Sequence, residues 1–341
     1  MRAAHFFDGS AVRPGVLQVR DGRVILREGQ APHGAAVLDG VVTGLFTDHH
    51  VHLQLVDHHR LSRSRLGRVI DLGADPEWAR EIAAQNSGEP GADDGETADL
   101  GPDGAVSAEF WPTVEYAGPF LTAPGGYPSD RAWAPAGAVR EIPDPVHAAA
   151  VVDELAALGV SLIKVVAHSE AGPLLDDDAF RAVVRRAAAH RLPVVAHAEG
   201  QGQAQRALRL GVTRLAHAPF SERLSDAEVA AQAASASWIS TLAIHDSAVR
   251  AIAVDNVRRF VAAGGEVLYG TDMGNGEMPV DLHAAEIDAL RAAGIDGLDL
   301  LAALSPADPL AAGPLLLLPD GDPNRAHRLS PADIDADILE P

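Results

Sequence analysis

SLIKVVAHSEAGPLLDDDAFRAVVRRAAAHRLPVVAHAEG, residues 161–200, sets two short apolar runs on either side of a helical pattern. "SLIKVVAHS" and "LPVVAHAEG" are apolar on both faces, as strands covered on both sides must be. "DDDAFRAVVRRAAAH" repeats its apolar residues at helical spacing and opens on Asp, a good helix start. Strand, helix, strand is the repeating unit of a parallel sheet.

The same rhythm runs outward in both directions. Downstream come "QGQAQRALRLG", "VTRLAHAPF", "SDAEVAAQAASA", "WISTLAIH", "SAVRAIAVDNVRRFVAAGG", "EVLYGTDMGN" and "LHAAEIDALRAAG". Upstream, "GLFTDHHVHLQ", "GRVIDLG" and "TVEYAGPFLT" supply further strands, for a total of eight. That is the number that closes a (β/α)8 TIM barrel, expected here over residues 45–309. The chain ends read differently. "AHFFDGSAVRPGVLQVRDGRVILREG" alternates β-type runs with "DG" turns, and "GPLLLLPDGDP" adds a strand. Residues 1–44 with 310–341 are therefore expected to form a small β-sandwich domain. Residues 86–107, rich in Gly, Asp and Glu, read as a mobile acidic insertion at a barrel rim, and the last residues as a polar tail.

With 341 residues and 47% hydrophobic content, the chain can bury a large core. A net charge of -21 argues against a nucleic-acid or membrane partner, because both surfaces demand clustered Lys and Arg. The absence of cysteine excludes disulfides, thiolate metal sites and a cysteine nucleophile, so any metal must be held by His and carboxylate. The start "MRAAHFFDGS" lacks a signal-peptide layout, and no stretch approaches the ~20 apolar residues of a membrane span. A cytoplasmic protein with a small-molecule substrate is expected, and a homo-oligomer is left open.

Of the 27 Lys and Arg residues, only Lys164 is a lysine. Arginine cannot lose its proton in a protein, whereas a lysine buried among Leu162, Ile163, Val165 and Val166 can become a neutral, nucleophilic amine. Taken alone it reads as a cation snorkelling to water, so its companions must decide. His50 and His52 in "DHHVHL" are two apart and share one strand face, while His49 turns to the other. His197 ends "PVVAH", His217 ends "TRLAH", and Asp272 follows "LYGT". Each is ordinary by itself. Together they place six potential ligands at the C-terminal ends of barrel strands, where catalytic residues of this architecture sit, and point to a divalent metal pair. Tyr127 after the "PGG" turn, Arg131, His168 and His245 are candidate substrate contacts near the mouth. His5, His33, His58, His59, His147, His190 and His327 are expected at the surface, and His283 is left open.

This ordered set, with "GLFTDHHVHL", "AGPFLTAPGGYP", "LIKVVAH", "VVAHAEG" and "YGTDMGN", resembles the amidohydrolase superfamily of metal-dependent hydrolases. It looks most like the imidazolonepropionase-like branch that includes Xaa-Pro dipeptidases. The resemblance implies two divalent ions, Zn first with Mn or Co as substitutes. It assigns His50, His52 and Asp272 to one ion, His197 and His217 to the other, and a carboxylated Lys164 as the bridge. It further implies amide hydrolysis by a metal-bridging hydroxide, with Asp272 as the proton carrier, on a dipeptide, N-acyl amino acid or cyclic amide. Related readings are a lactonase or phosphotriesterase-like hydrolase, a mononuclear deaminase and a non-catalytic scaffold.

Overall fold

The computed structural model describes residues 1–85 and 110–335. The acidic insertion expected at 86–107 lies outside the described residues, as do residues 336–341. The N-terminal strands are β1 (Arg2–Phe7), β2 (Val12–Arg20), β3 (Arg23–Glu28) and β4 (Val37–Gly44). The central strands are β5 (Phe46–Val51), β6 (Leu66–Asp71), β7 (Thr113–Tyr116), β8 (Phe120–Thr122), β9 (Val139–Glu141), β10 (Ile163–His168), β11 (Val194–Glu199), β12 (Arg214–Leu215), β13 (Ser237–Ile239) and β14 (Glu266–Leu268). The chain closes with β15 (Leu315–Leu318) and β16 (His327–Arg328). Helices α1 (Pro76–Gln85), α2 (Pro145–Leu158), α3 (Asp177–Ala189), α4 (Gln203–Arg209), α5 (Asp226–Ala233), α6 (Ser247–Ala262), α7 (Ala284–Ala292) and α8 (Gly297–Ala303) alternate with the central strands, and α9 (Pro331–Asp335) follows β16.

The central strands are parallel, in a seven-stranded sheet ordered β14-β13-β12-β11-β10-β8-β9 and a three-stranded sheet ordered β5-β6-β7. Backbone hydrogen bonds join the two at both sides. Ser161 donates to the Tyr116 carbonyl (2.9 Å) where β7 meets the start of β10, and His49 donates to the Tyr269 carbonyl (3.0 Å) just past β14. His52 donates to the Met273 carbonyl (2.7 Å), beside a parallel bridge between Val51 and Met273. The stretch "TVEYAGPFLT" is interrupted between β7 and β8, where Gly118 takes a φ of +72°.

Alternation along these strands sorts side chains between two environments. Ile163, Val165 and Ala167 of β10 pack outward with the helix residues of the large core, such as Val183 of α3 and Phe260 of α6. A second, smaller cluster of Ile70, Leu72, Ala117, Leu162, Val195, Ala216, Ile239 and Leu268 draws on successive strands and is enclosed by them. Each such large side chain taken out of water contributes ~1.5–3 kcal/mol. Two residues beyond Leu162 and Val195, on the same face, stand Lys164 and His197, so the apolar plug forms the floor of the site.

The terminal strands form one mixed six-stranded sheet, ordered β16-β15-β4-β1-β2-β3. Phe7, Leu316 and Leu318 join the large core, while Phe6, Leu315 and Leu317 turn to the opposite face with Leu17, Leu26 and Ile334 of α9. Where facing layers of strands were expected, the described residues show this single sheet with a short helix against one face. The start of the expected polar tail is thus structured, with Ile334 buried. No helix among the described residues is long and apolar enough to cross a membrane.

Candidate metal centre

The six expected ligands are buried, with Lys164 only 1% exposed, and all line one cavity of about 590 Å³. His50 Nε2 and His52 Nε2 each lie 3.0 Å from Asp272 Oδ1, and 3.3 Å from one another. Three donor atoms thus converge on one point. The strand period explains the His pair, since residues two apart share a face. His49, on the other face, donates from Nδ1 to the Tyr269 carbonyl (3.0 Å) and is structural. Asp272 lies beyond the end of β14 in the left-handed region, φ 57°, a conformation that costs energy for a residue with a side chain. It is held there by its own hydrogen bonds, with Asn275 donating from Nδ2 to Oδ2 (2.8 Å).

Each imidazole is oriented from behind. His50 Nδ1 donates to the Ala216 carbonyl (2.8 Å), which leaves Nε2 as a lone-pair donor towards the cavity. His217 Nδ1 pairs with Thr241 Oγ1 (2.8 Å). Burial, against the pull of Asp272, lowers the His50 pKa to about 4, and burial takes His217 well below its ordinary range, so both are neutral near pH 7 as metal ligands must be. Burial works to raise the Asp272 carboxyl, and its imidazole neighbours, His50 first, with His52 and His217, outweigh it, so the net direction is well below the ordinary carboxylate range. Burial also brings Lys164 down to about 7, against Asp272 and Asp71, which favour the ammonium. A substantial neutral fraction is therefore present at neutral pH. Donor set, tautomers and ionisation fit a divalent metal ion.

His217 groups with His50 and Asp272, all three donor atoms lying within 4.8 Å of one another. His197 is drawn instead into a second group with Glu199 and His168. His197 Nε2 donates to Glu199 Oε2 (3.0 Å), and His168 Nε2 lies 3.3 Å from the same oxygen. Burial raises the Glu199 carboxyl, and its bond to His197 with the nearby His197, His168 and His245 overcomes this, so the net direction is downward. Glu199 was not singled out in the sequence, although it stands two residues from His197 on β11, the same spacing as His50 and His52. Asp71 is a second unforeseen contributor: its carboxylate accepts from Leu53 N (2.7 Å) and Gly73 N (2.9 Å) and fixes the turn after the His pair.

Of the expected substrate contacts, Tyr127 and His245 line the cavity. Burial, with Asp272 and Glu199 nearby, pushes the Tyr127 phenol up to about 12, so it stays protonated. His168 packs against Tyr127 with ring centroids 4.9 Å apart, behind the lining. Arg131 lies over the Tyr127 ring at 5.5 Å.

No family model matches the sequence, and no curated protein matches it. Solved structures do share its fold. One is a Xaa-Pro dipeptidase with methionine bound in its active site, at a TM-score of 0.66 and 16% identity over 94% of each chain. An ochratoxinase from A. niger superposes at 0.68 with 14% identity, covering 96% of this chain and 94% of that one. A prolidase complexed with N-methylphosphonate-L-proline gives 0.61 and 18%, covering 94% and 93%. At these identities the likeness is one of fold, the fold of amidohydrolases and prolidases.

Proposed function

We propose that this protein is a metal-dependent amidohydrolase that hydrolyses a carbon–nitrogen bond of a small molecule, on a (β/α)8 barrel flanked by a unit built from both chain ends. The observation that carries the reading is the convergence of His50 Nε2, His52 Nε2 and Asp272 Oδ1 at 3.0–3.3 Å in the cavity that also holds the buried Lys164. His50, His52, His217, His197, Asp272 and a carboxylated Lys164 would hold two divalent ions, Zn first. Such ions supply Lewis acidity and a water of lowered pKa. The chain's own part is to orient and to move protons. Asp272, ionised and anchored by Asn275, takes a proton from the attacking water and returns it to the leaving nitrogen. Tyr127, a protonated phenol, faces the substrate, and the apolar floor keeps bulk water out. A cytoplasmic setting fits the reading.

The grouping of His217 with His50 and Asp272 favours a second reading, a single-ion centre of the deaminase kind. Stripping the protein with a chelator and restoring Zn in steps separates them. Hydrolysis of an amide series should vanish on stripping and return fully only at two equivalents. Full return at one equivalent supports the single-ion centre, and no dependence on metal overturns both.

A further inference from the structure

The cavity has an aromatic wall. Trp133 stands 6.1 Å from the rings of both Phe120 and Tyr127, and Phe220, also in the lining, packs on His245 with centroids 4.3 Å apart. Among the described residues that line it, Lys164 at the base is the only Lys or Arg, while Glu199 and Asp272 are both acidic. Two guanidinium groups near the lining residues have partners of their own. Arg131 lies over the Tyr127 ring with its Nε 3.4 Å from Asp130, and Arg250 donates from Nη2 to the carbonyls of Ala243 (2.8 Å) and His245 (2.7 Å). Residues 86–109 and 336–341 contain no Lys, Arg or His.

In the outer part of the cavity, away from the residues that would hold the ions, a free carboxylate would be desolvated with no lining guanidinium or ammonium to meet it. Flat, uncharged rings meet the opposite reception: an aromatic lining and apolar burial. His245 Nε2 is buried with no hydrogen-bond partner among the described residues, and a buried nitrogen in that state awaits a group that a ligand brings. Taking the hydrolase reading as given, we propose that the site accepts neutral amides that carry a flat ring and one hydrogen-bonding group for His245, and discriminates against peptides and N-acyl amino acids with a free carboxylate.

The test uses matched pairs on the metal-replete protein: an N-acyl aniline against the N-acyl phenylalanine with the same acyl group, and a Xaa-Pro dipeptide against its C-terminal amide. The uncharged member of each pair should have a kcat/KM higher by about 10-fold or more. A preference for the acid in either pair overturns the proposal. Calorimetric titration of the same compounds into the protein reads it without turnover, and should show tighter binding of the uncharged member. If nothing is hydrolysed although the binding preference holds, the hydrolase reading fails and the site's preference stands. Trp133→Arg, at a half-exposed position, sets a guanidinium into the wall and should narrow or reverse the ratio; an unmoved ratio also counts against the proposal. So does a selective loss of the acid member in Arg131→Ala, because that guanidinium would then be serving the carboxylate.

Discussion

Lys164 sits at the base of the cavity, its amine held near pKa 7 by burial, with its Nζ 5.9 Å from the Phe120 ring. An amine in this state can form a carbamate, and a guanidinium cannot. Lys164→Ala and Lys164→Arg should therefore both lose activity steeply, although arginine keeps the charge. Acetate or propionate should restore part of the rate in the alanine variant by filling the vacated carboxylate position. Partial activity in Lys164→Arg, with no rescue of the alanine variant, would mean that an ordinary ammonium serves there. Asp272→Asn keeps the shape and removes the proton acceptor, so turnover should fall by about 10²-fold or more with the fold intact. Circular dichroism and kcat on one preparation check both halves. Glu286, fully buried, accepts from Leu242 N (2.9 Å) and Ala243 N (2.7 Å), and burial pushes its carboxyl up to about 7 from an ordinary 4.5. The folded state binds this proton more tightly than the unfolded chain. Its contribution to stability is full below the unfolded value and is lost as pH rises towards and past about 7. In denaturant melts, the advantage of the parent over Glu286→Gln should accordingly shrink by on the order of 1–3 kcal/mol between pH 5 and pH 8. A constant difference would contradict the assignment.

Strand β11 shows how far its own sequence could be read. "LPVVAHAEG" is legible as a strand ending in a candidate ligand because its apolar run, its Pro start and its His are all local features. What His197 needs from its neighbours is not local: the carboxylate that accepts the hydrogen bond from its Nε2, and the His168 that shares that carboxylate, come together only when β10 and β11 pair in register, with His168 opposite Glu199. Period two alone could have flagged Glu199, and did so for His50 and His52, where both residues were histidines. The short strands behave likewise. β12 and β14 end before His217 and Asp272, so those two are placed by loop geometry, including the left-handed φ of Asp272, which no apolar pattern records. The terminal sheet was legible as strands from its alternation, but which strands share a sheet depends on β15 pairing with β4 across most of the chain. If Glu199 orients His197, Glu199→Gln should weaken binding of an ion at His197 by about 10- to 100-fold. Competition with a chromogenic chelator measures it. Equal affinities in parent and variant would reduce Glu199 to a cavity-lining acid.

On the scale of the whole molecule, parallel strands bring candidate ligands from residues 50 to 272 to one point, and the sequence order of those residues is what pointed to a candidate site before any contact was known. Charge works in the same direction. At -21 the chain surrounds a cavity that itself contains Asp272 and Glu199, a setting that attracts divalent cations. Ions bound only by the folded state stabilise it by mass action, so chelation should lower the melting temperature as well as stop turnover. The metal content of protein purified without chelator tests the central claim most directly. Elemental analysis of fully active protein should find two divalent ions per chain, predominantly Zn, with both lost together from Lys164→Ala; a fully active protein with one ion per chain or fewer would contradict the account.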